Sequence, residues 1–590
     1  MVASDTPLAI EIFPNCPAVT SQSYSSRAFV TLSIYWGANF RKLKRYIIKN
    51  DSMKGPSISD GLSDPQTAAA TANEVQTNYR KLPTHNVRRD TKLDGREKHN
   101  AAGQSSVLHR TLHELPKKVV KSYGLILTLD DGQEIIDATG GAAVACLGHG
   151  NEVVKQAVVD QMNAVSYCHS LFYGTSAGEA LAESLIASTD YQMARAFIVS
   201  SGSEAMEAAA KMARQYFLEL TPPQSKRCRF IARKQSYHGT TLGSLSIGGH
   251  VARRELYEPL LSTNTSHVSP CYAYRGMGEG ESMESYVARL AKELDEEFQR
   301  VGPDTVCAFV AEPIVGAALG CVPFVPGYFK AMKAVCDRYG ALLILDEVMC
   351  GMGRCGTLHA WQDEGVCPDI QTIGKGLGGG YAPVAGMLVN HKVIDVLSKG
   401  TGAFSHGQTY QGHPVACAAA LAVNKIVREP GMMERVRESG KRLEGILRKR
   451  LEGHEYVGDI RGKGLFWGIE FVRDKRTKEP FDPLLKVALG IHELGMEDPY
   501  NISLYPGNGT VDGKRGDHIL VAPPYNSTSE EIDLIGTRTA DVVEKFFKIH
   551  ADELSTGKEP TRQVNNDTPA ASFVERLEES GKASTLAPTG

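Results

Sequence analysis

The chain has 590 residues, of which 42% are hydrophobic, and a formal net charge of -3. A chain of this length can bury more than one hydrophobic core, so we expect two or more globular units. A charge this close to zero gives no basis for binding nucleic acid or an anionic membrane, and no apolar run approaches the about 18 residues that a membrane span requires.

The cysteines favour reduced thiols over a disulfide framework. There are 12 of them and none forms a C-x-x-C pair. The densest group, Cys350, Cys355 and Cys367, does not have the spacing of a zinc site. We therefore predict no metal site and a cytoplasmic protein, with a mitochondrial location as the alternative.

Residues 1–105 are not expected to fold as a domain, because they are rich in Ser, Thr, Asn and charge. An apolar patch at 29–36, followed by a basic run at 41–49, has the pattern of a targeting or docking element. Asp5 and Glu11 argue against an ordinary presequence. One alternative is a disordered extension. The other is that the true start is Met53 and that the given start lies too far upstream.

The folded part is predicted to begin near Leu108. The pattern at 123–129 and 134–137 predicts two short strands around an Asp-Asp-Gly turn. Helical patterns follow at 153–165 and 177–186, on either side of an aromatic-rich segment at 167–173.

A phosphate-binding turn is predicted where the strand 194–199 leads into an alanine-rich helix. Ser201 and Glu204 fit a capping box at the start of this helix. The first N–H groups of a helix have no partner inside it and attract anions, so this turn can cradle a phosphate. An ordinary capped helix is the alternative.

Strands and helices alternate over the middle of the chain. The predicted elements are strands at 230–232, 305–311, 341–345 and 369–373, and a helix at 326–339. This alternation indicates an α/β fold with a largely parallel sheet covered on both faces. The later predicted elements are helices at 415–427 and 432–451, a further helix within 483–525, and strands at 456–460, 464–472 and 518–522.

Two central strands end on charged residues, Asp346 after 341–345 and Lys375 after 369–373. Ligands of open α/β sheets bind at the carboxyl ends of strands, so we expect the two residues to share one cleft. A lysine and a carboxylate there are typical of a pyridoxal phosphate site. The lysine forms the Schiff base, and the aspartate keeps the pyridine nitrogen protonated. Taken singly, a solvated loop lysine and a helix-capping aspartate are the alternatives.

A competing dinucleotide motif lies between these two residues. Gly351, Gly353 and Gly356 spell G-x-G-x-x-G after a strand, which on its own would indicate a nicotinamide cofactor. That site also needs a helix that opens on the glycines. The following residues, 357–361, show no long apolar periodicity, so we favour pyridoxal phosphate.

Seven motifs occur in the order SGSEAMEAAAKMAR, SYHGTT, AEPIVG, LLILDEVMCGMGRCG, PDIQTIGKGLGGG, GQTYQGHP and RGKGLFWGIEF. With them, the chain from about 105 to 545 resembles a class III (fold type I) pyridoxal-phosphate aminotransferase. The resemblance implies a large cofactor-binding domain with a mostly parallel sheet and a smaller α+β domain. The corresponding boundaries are 1–105 for the extension, 106–165 and 431–548 for the small domain, 166–430 for the large domain and 549–590 for a disordered tail.

The resemblance assigns the catalytic roles to Lys375 and Asp346. Lys375 matches the Schiff-base lysine, which afterwards moves a proton between the substrate Cα and the cofactor. Asp346 matches the partner of the pyridine nitrogen. Val348 and Tyr237 would pack on the two faces of the ring.

The remaining cofactor-binding residues follow from the same motifs. Gly202 and Ser203 match the phosphate-binding turn, and His238 and Glu312 belong to the same set, with Glu312 behind Asp346. Thr409 matches a threonine that the partner subunit contributes to the phosphate. The resemblance therefore implies an obligate homodimer with shared active sites.

Three residues are expected to meet the substrate. Tyr167 and Phe172 would shape its pocket. Arg515 would hold a carboxylate, since a planar guanidinium binds carboxylates bidentately, although a surface arginine is the alternative.

Two departures from the family pattern bear on the substrate. Ala317 stands where many members that use 2-oxoglutarate carry a glutamate, and Met349 stands where many carry a glutamine. Both resemble the ω-amino acid:pyruvate branch. The predicted reaction is a ping-pong transamination from an amine or ω-amino acid to a small 2-oxoacid, with pyruvate favoured. The alternatives are a decarboxylase or aminomutase of the same fold, and a cofactor-free scaffold protein.

Overall fold

The computed structural model describes residues 105–112 and 114–551, which all belong to one compact unit of the chain. The expectations for the N-terminal extension before residue 105, including Met53, and for the tail from residue 552 lie outside the described residues. Within the described ranges, no helix combines the length and the apolar character that crossing a membrane demands.

Strands and helices follow one another along the described chain. The strands are β1 (Val119–Tyr123), β2 (Ile126–Leu129), β3 (Glu134–Asp137), β4 (Met193–Val199), β5 (Arg229–Arg233), β6 (Thr265–Val268), β7 (Val306–Ala311), β8 (Ile314–Val315), β9 (Val322–Pro323), β10 (Leu342–Asp346), β11 (Ile370–Ile373), β12 (Ala385–Asn390), β13 (Val457–Lys463), β14 (Phe466–Phe471), β15 (Ile502–Ser503), β16 (Tyr505–Asn508) and β17 (Asp517–Val521). The α-helices are α1 (Gly140–Ala143), α2 (Glu152–Ala164), α3 (Ser176–Ala187), α4 (Gly202–Glu219), α5 (Leu242–Ile247), α6 (Val251–Arg254), α7 (Ala273–Gly276), α8 (Met283–Val301), α9 (Tyr328–Arg338), α10 (His391–Lys399), α11 (Pro414–Val427), α12 (Met432–Leu451), α13 (Val487–Gly495) and α14 (Ser529–Ile549). Short 3-10 helices are Glu255–Leu260, Pro303–Thr305, Ala360–Asp363, Lys375–Leu377 and Pro483–Leu485.

A seven-stranded sheet forms the centre of the fold, in the order β4-β12-β11-β10-β7-β5-β6. Strand β12 is antiparallel to both of its neighbours, and the other pairs are parallel. The largely parallel sheet predicted from the alternation of strands and helices is therefore confirmed. The apolar runs that form its strands are continuous because both faces are buried.

Helices cover both faces of this sheet. On one face, α8 and α9 pack Leu290 and Phe329 against residues such as Leu343 of β10. On the other face, α4 and α10 pack Met212 and Leu397 against the alternate residues of the same strands. Each such large apolar side chain contributes about 1.5–3 kcal/mol by its burial, so the sheet is held firmly between the two helix layers.

The pairing of β10 with β11 positions the two charged strand ends. The strands are parallel, and Asp346 lies opposite Thr372. Lys375 follows shortly after Thr372 and begins the 3-10 helix Lys375–Leu377. Because parallel strands point their carboxyl ends to the same edge, both charged residues arrive at one side of the sheet.

Two smaller sheets join segments from both ends of the described chain. In the order β1-β2-β3-β15, Ile136 of β3 lies opposite Ile502 of β15. In the order β13-β14-β17-β16, the strands share an apolar core with α12 and α14. The predicted domain boundaries stay a prediction.

Several elements differ from the sequence expectation. Strands β1 and β12 and helices α8 and α14 were not predicted, although Leu290, Leu294 and Phe298 of α8 recur at helical spacing. The capping box at Ser201 and Glu204 was only half right. The Ser201 side chain accepts from the Glu204 N–H, but the Glu204 carboxylate accepts at 2.8 Å from the N–H of Ser200, one residue earlier than a capping box requires.

The glycines of the G-x-G-x-x-G pattern do not open a long helix. They lie in a turn that leads to the four-residue 3-10 helix Ala360–Asp363. A dinucleotide site needs a helix N-terminus at that point, so the local structure agrees with the preference for pyridoxal phosphate.

Two glycines of α12 provide a matched test of the packing between this helix and the β13–β14 turn. A Cβ on buried Gly440 would collide with the carbonyl oxygen of Gly464, whereas a Cβ on exposed Gly445 would meet nothing within 4 Å. We expect Gly440→Ala to destabilise the protein by about 1–3 kcal/mol through overpacking. We expect Gly445→Ala to stabilise it by about 0.5–1 kcal/mol by removing chain entropy. Equilibrium urea unfolding of both variants measures the two effects, and shifts of the same sign would contradict this packing.

Candidate active site

A cavity of about 260 Å³ lies at the carboxyl edge of the central sheet. All eight residues that the sequence predicts for the cofactor on this chain line it: Gly202, Ser203, Tyr237, His238, Glu312, Asp346, Val348 and Lys375. The structure thus brings together residues from widely separated motifs.

Asp346 is held in place from three sides. Its Oδ2 lies 2.8 Å from Nδ1 of buried His238. Its Oδ1 accepts at 3.1 Å from the N–H of Val348 and at 3.1 Å from the hydroxyl of Thr372. The carboxylate therefore has a fixed orientation toward the cavity.

His238 has one ring nitrogen, Nε2, that is buried without a hydrogen-bond partner among the described residues. Buried polar atoms usually find partners. An unsatisfied polar atom next to the Asp346 carboxylate is a feature of functional sites more than of ordinary cores.

Glu312 places a second carboxylate beside Asp346. Its Oε1 accepts at 3.0 Å from the N–H of Tyr237, and its Oε2 accepts at 3.1 Å from the N–H of Gly316. Burial raises the pKa of Glu312, and the nearby charge of Asp346 adds to the rise. Glu312 thus fixes the backbone that carries Tyr237.

Lys375 is the basic group of the cavity. Burial lowers the pKa of its amine to about 8, although Glu312 and Asp346 oppose the change. Its backbone has φ of 44°, which side-chain-bearing residues rarely adopt and which is a mark of functional turns. Among the described residues, no carboxylate lies within ion-pair distance of its Nζ, so the amine is available for chemistry.

The N-terminus of α4 forms the opposite wall. The Ser201 side chain caps the helix, which leaves the N–H groups of Gly202 and Ser203 without partners inside it. The Ser203 hydroxyl accepts at 3.0 Å from the N–H of Thr240. A Cβ on Gly202 would come within 2.8 Å of the Val348 side chain, so only glycine permits this approach.

These residues fit pyridoxal phosphate. The turn at the N-terminus of α4 suits a dianionic phosphate, and the oriented carboxylate of Asp346 suits a protonated pyridine nitrogen. Tyr237 and Val348 offer an aromatic and a β-branched surface to a flat ring, and Lys375 offers an amine. The cavity therefore offers one protein group for each chemical feature of the cofactor.

Four predicted residues do not line this cavity in the single chain. The Tyr167 hydroxyl donates to the carbonyl oxygen of Thr409 at 3.0 Å, so these two lie together. Phe172 is 71% exposed and contacts His169 and Tyr173. The structure does not bring Arg515 to the cavity, because its guanidinium pairs with Asp512 at 2.7 Å in an exposed turn.

The sequence reasoning missed one residue that orients Asp346 from behind the cavity and several residues that line the cavity. Thr372, which orients Asp346, sits directly opposite it in the strand register, and an alignment of the two predicted strands could have found it. Val144, Ala382, Pro383 and Val384 also line the cavity. They come from loops whose path no local pattern specifies.

The fold and the site define a pyridoxal-phosphate transferase of fold type I, and comparisons with known proteins agree. A family model described as aminotransferase class-III matches residues 107–542. An aminotransferase of Gibberella zeae is 54% identical over 75% of this chain and 87% of its own length. An uncharacterized aminotransferase of Schizosaccharomyces pombe is 50% identical over 75% of this chain and 95% of its own length. The crystal structure of the omega transaminase from Pseudomonas jessenii in complex with PMP matches with a TM-score of 0.68 at 30% identity, over 74% of this chain and 93% of that one.

The chain belongs to the class III aminotransferase family. It is therefore a transferase enzyme of the transaminase kind, as the motifs predicted. Members of this family depend on pyridoxal phosphate, and the solved structure with PMP holds the amino form of that cofactor. The α/β fold type I architecture expected from the sequence is confirmed by the same matches.

The lowered pKa of Lys375 predicts how the apoenzyme captures pyridoxal phosphate. Only the neutral amine attacks an aldehyde, so the rate should rise as pH passes through about 8 and then level off. An ordinary lysine would keep gaining reactivity up to its usual pKa of 10.5. Stopped-flow absorbance follows the rate of Schiff-base formation between pH 6 and about 10, and the same reaction of Nα-acetyl-lysine, whose side-chain amine is free, serves as the reference. The pH at which the rate reaches half of its plateau is the midpoint. A midpoint near that of the reference amine would contradict the burial of Lys375.

Proposed function

We propose that this aminotransferase moves an amino group from an amine or an ω-amino acid to a small 2-oxoacid, with pyruvate favoured, in a ping-pong reaction through Lys375. One observation carries the proposal. The Lys375 amine, whose pKa burial lowers to about 8, and the oriented Asp346 carboxylate line the same cavity.

The residues around the cavity have distinct tasks in this proposal. Pyridoxal phosphate supplies an electron sink for the carbon that carries the amino group. Asp346, oriented by His238 and Thr372, holds a proton at the pyridine nitrogen. Gly202 and Ser203 bind the phosphate through the α4 N-terminus.

Lys375 is suited to moving a proton near neutral pH. A general base works best when its pKa lies near the operating pH, and burial brings the pKa of this amine to about 8. In the proposal, Nζ takes the proton from the substrate carbon that bears nitrogen and returns a proton to the cofactor side. The partly buried Tyr237, which lines the same cavity, helps to exclude water.

A homodimer completes the site in this proposal. We define the aromatic surface as Tyr167, Leu171, Phe172, Tyr173 and Tyr410, which are between 42% and 75% exposed in the single chain. Exposed apolar patches mark interfaces. Thr409 lies against this surface through Tyr167, so a partner that covers it would receive Thr409 at its own phosphate site, with Tyr167 and Phe172 near the substrate entrance.

The region around Ala317 supports a small acceptor. Ala317 and Met349 pack with Phe466 in an apolar cluster. Nearby Arg461 is paired with Glu470 at 2.6 Å and with Asp459 at 3.0 Å. Arg461 does not line the cavity, and no arginine is among the described residues that do. The second carboxylate of 2-oxoglutarate therefore has no guanidinium partner there within the single chain, which favours pyruvate.

The proposed location is the cytoplasm, with the mitochondrion as the alternative. The cysteines of the described residues are all free thiols. Free thiols are typical of reducing compartments.

Removal of the Lys375 amine tests the proposed function. We expect Lys375→Ala to lower turnover by at least about 100-fold, since general bases contribute about 100- to 10,000-fold. The wild type should lose its visible absorbance on addition of β-alanine or 4-aminobutyrate without an acceptor. Pyruvate should restore it faster than 2-oxoglutarate does. Lys399→Ala, at the exposed end of α10, is the matched control and should behave as wild type.

Other outcomes of this experiment would redirect the assignment. Release of carbon dioxide would indicate a decarboxylase, and an isomerised product formed without an oxoacid would indicate an aminomutase. A protein that stays colourless after incubation with pyridoxal phosphate would mean that the family's chemistry has been lost.

Mixed dimers test whether the active sites are shared. Lys375→Ala and Thr409→Asp are each expected to be inactive, the second because its charge repels a phosphate. In a mixed dimer with shared sites, one site combines the intact Lys375 and the intact Thr409. Refolding the two variants together should therefore restore about one active site per mixed dimer. If the mixture is as inactive as the separate variants, Thr409 does not act across the interface.

A further inference from the structure

Glu347 is a buried carboxylate to which the proposed reaction gives no task. It directly follows Asp346 in the chain, it is 0% exposed, and it is not among the residues that line the cavity. A carboxylate is almost never fully buried without a partner. The hydrogen bonds of Glu347 therefore indicate what this side chain does.

The two carboxylate oxygens of Glu347 bind the backbone of a later segment. Oε2 accepts at 2.7 Å from the N–H of Ala360, and Oε1 accepts at 2.8 Å from the N–H of Trp361. The N–H of Glu347 itself donates at 2.8 Å to the carbonyl oxygen of Thr372 in β11. The side chain therefore closes residues 348–359 into a loop, and the first end of this loop is attached to the central sheet.

The second end of the loop is attached to the same strand. The indole N–H of Trp361 donates at 3.2 Å to Oε1 of Gln371, and Nε2 of Gln371 lies 2.9 Å from Nδ1 of His359. All three side chains are buried. Glu347 therefore bonds one held end of the loop to the other, which fixes the course of the residues between them.

The closed loop carries two residues of the cavity, Val348 and Met349. Val348 has little room, because a Cβ on Gly202 would come within 2.8 Å of its side chain and a Cβ on Gly374 would come within 3.2 Å. Gly202 begins α4, and Gly374 directly precedes Lys375. A small shift of the loop would therefore move Val348 against the phosphate-binding turn or against the backbone that leads to Lys375.

We propose that Glu347 is a positioning residue for the cofactor and that it acts through Val348. The closed loop keeps Val348 between Gly202 and Gly374, where its side chain would support one face of the pyridine ring. Glu347 itself touches neither cofactor nor substrate. This inference rests on the cofactor of the proposed function, and it adds a residue outside the cavity that sets how tightly the cofactor is held.

Glu347→Gln tests this clamp with little change in side-chain size. The amide places an NH2 group where one carboxylate oxygen accepts, so one backbone N–H loses its acceptor. Glu364→Gln is the matched control, because the two oxygens of Glu364 likewise accept from backbone N–H groups, those of Gly327 and Phe329. Glu364 does not line the cavity.

We expect Glu347→Gln to raise the Kd of the apoenzyme for pyridoxal phosphate by about 10-fold. A hydrogen bond to a charged group is worth about 10- to 100-fold, and part of that loss falls on the stability of the apoenzyme. Titration of the apoenzyme, followed by absorbance, measures the Kd, and urea unfolding measures the stability. Both variants should lose stability, whereas Glu364→Gln should bind the cofactor as tightly as the wild type does.

A double-mutant cycle tests whether the effect passes through Val348. Val348→Ala should by itself weaken the binding of pyridoxal phosphate, because it removes the surface under the ring. If Glu347 acts through Val348, the double variant should bind the cofactor no more weakly than Val348→Ala does. Two increases in Kd that multiply would show independent effects and would overturn the inference.

Gly351→Ala reaches the same clamp by a second route. A Cβ at Gly351 would lie 2.9 Å from the Cβ of Glu347, so this variant should displace the carboxylate without removing it and should also raise the Kd. An unchanged Kd in both Glu347→Gln and Gly351→Ala contradicts the proposed role. An equal rise in Glu364→Gln contradicts it as well.

The proposed function and this inference fail in different ways. If the wild-type apoenzyme does not bind pyridoxal phosphate, the proposed function fails. If the wild type binds it and Glu347→Gln binds it equally well, the cofactor assignment stands and the role of Glu347 is wrong.

Discussion

The site depends on the parallel pairing of β10 with β11. The register that sets Asp346 opposite Thr372 brings a carboxylate and, shortly beyond it, Lys375 to the same edge of a buried sheet. Both strands are sealed between helix layers, so the edge cannot shift without disturbing two cores. Orientation of the reacting groups is thus obtained from backbone hydrogen bonds and packing, which are the most rigid elements of the fold.

Burial shifts the pKa values of the ionisable groups at this edge of the sheet. Glu312, Asp346 and Lys375 share a small cavity, where desolvation disfavours charged forms. It raises the pKa of Glu312 and lowers that of Lys375, while Asp346 is surrounded by donors from His238, Thr372 and Val348. The low polarity of the cavity makes it unfavourable to bury this cluster of charges. It also brings the pKa of Lys375 closer to neutral pH.

The cavity residues come from two kinds of structural element. The floor is built on strand ends and the start of α4, whereas Val144, Ala382, Pro383 and Val384 reach the cavity from loops. Loops vary more easily than sheet edges and carry specificity. A chemical step that is set by the sheet edge can therefore be combined with a chain-specific choice of substrate, to which the apolar surroundings of Ala317 belong.

The sequence by itself predicted most strands of the central sheet, although not β6 and β12, and it indicated the cofactor and the residues of the cavity floor, because apolar runs and strand ends are local signals and the motifs are specific. It also gave the correct start of α4, but not which backbone N–H Glu204 would bind. Only the tertiary structure decided that His238 lies against the Asp346 carboxylate, that Glu312 accepts from the N–H of Tyr237, and that Tyr167 donates to the carbonyl oxygen of Thr409. These contacts join residues far apart in the chain, and their geometry depends on how loops pack on the sheet, which no local pattern encodes.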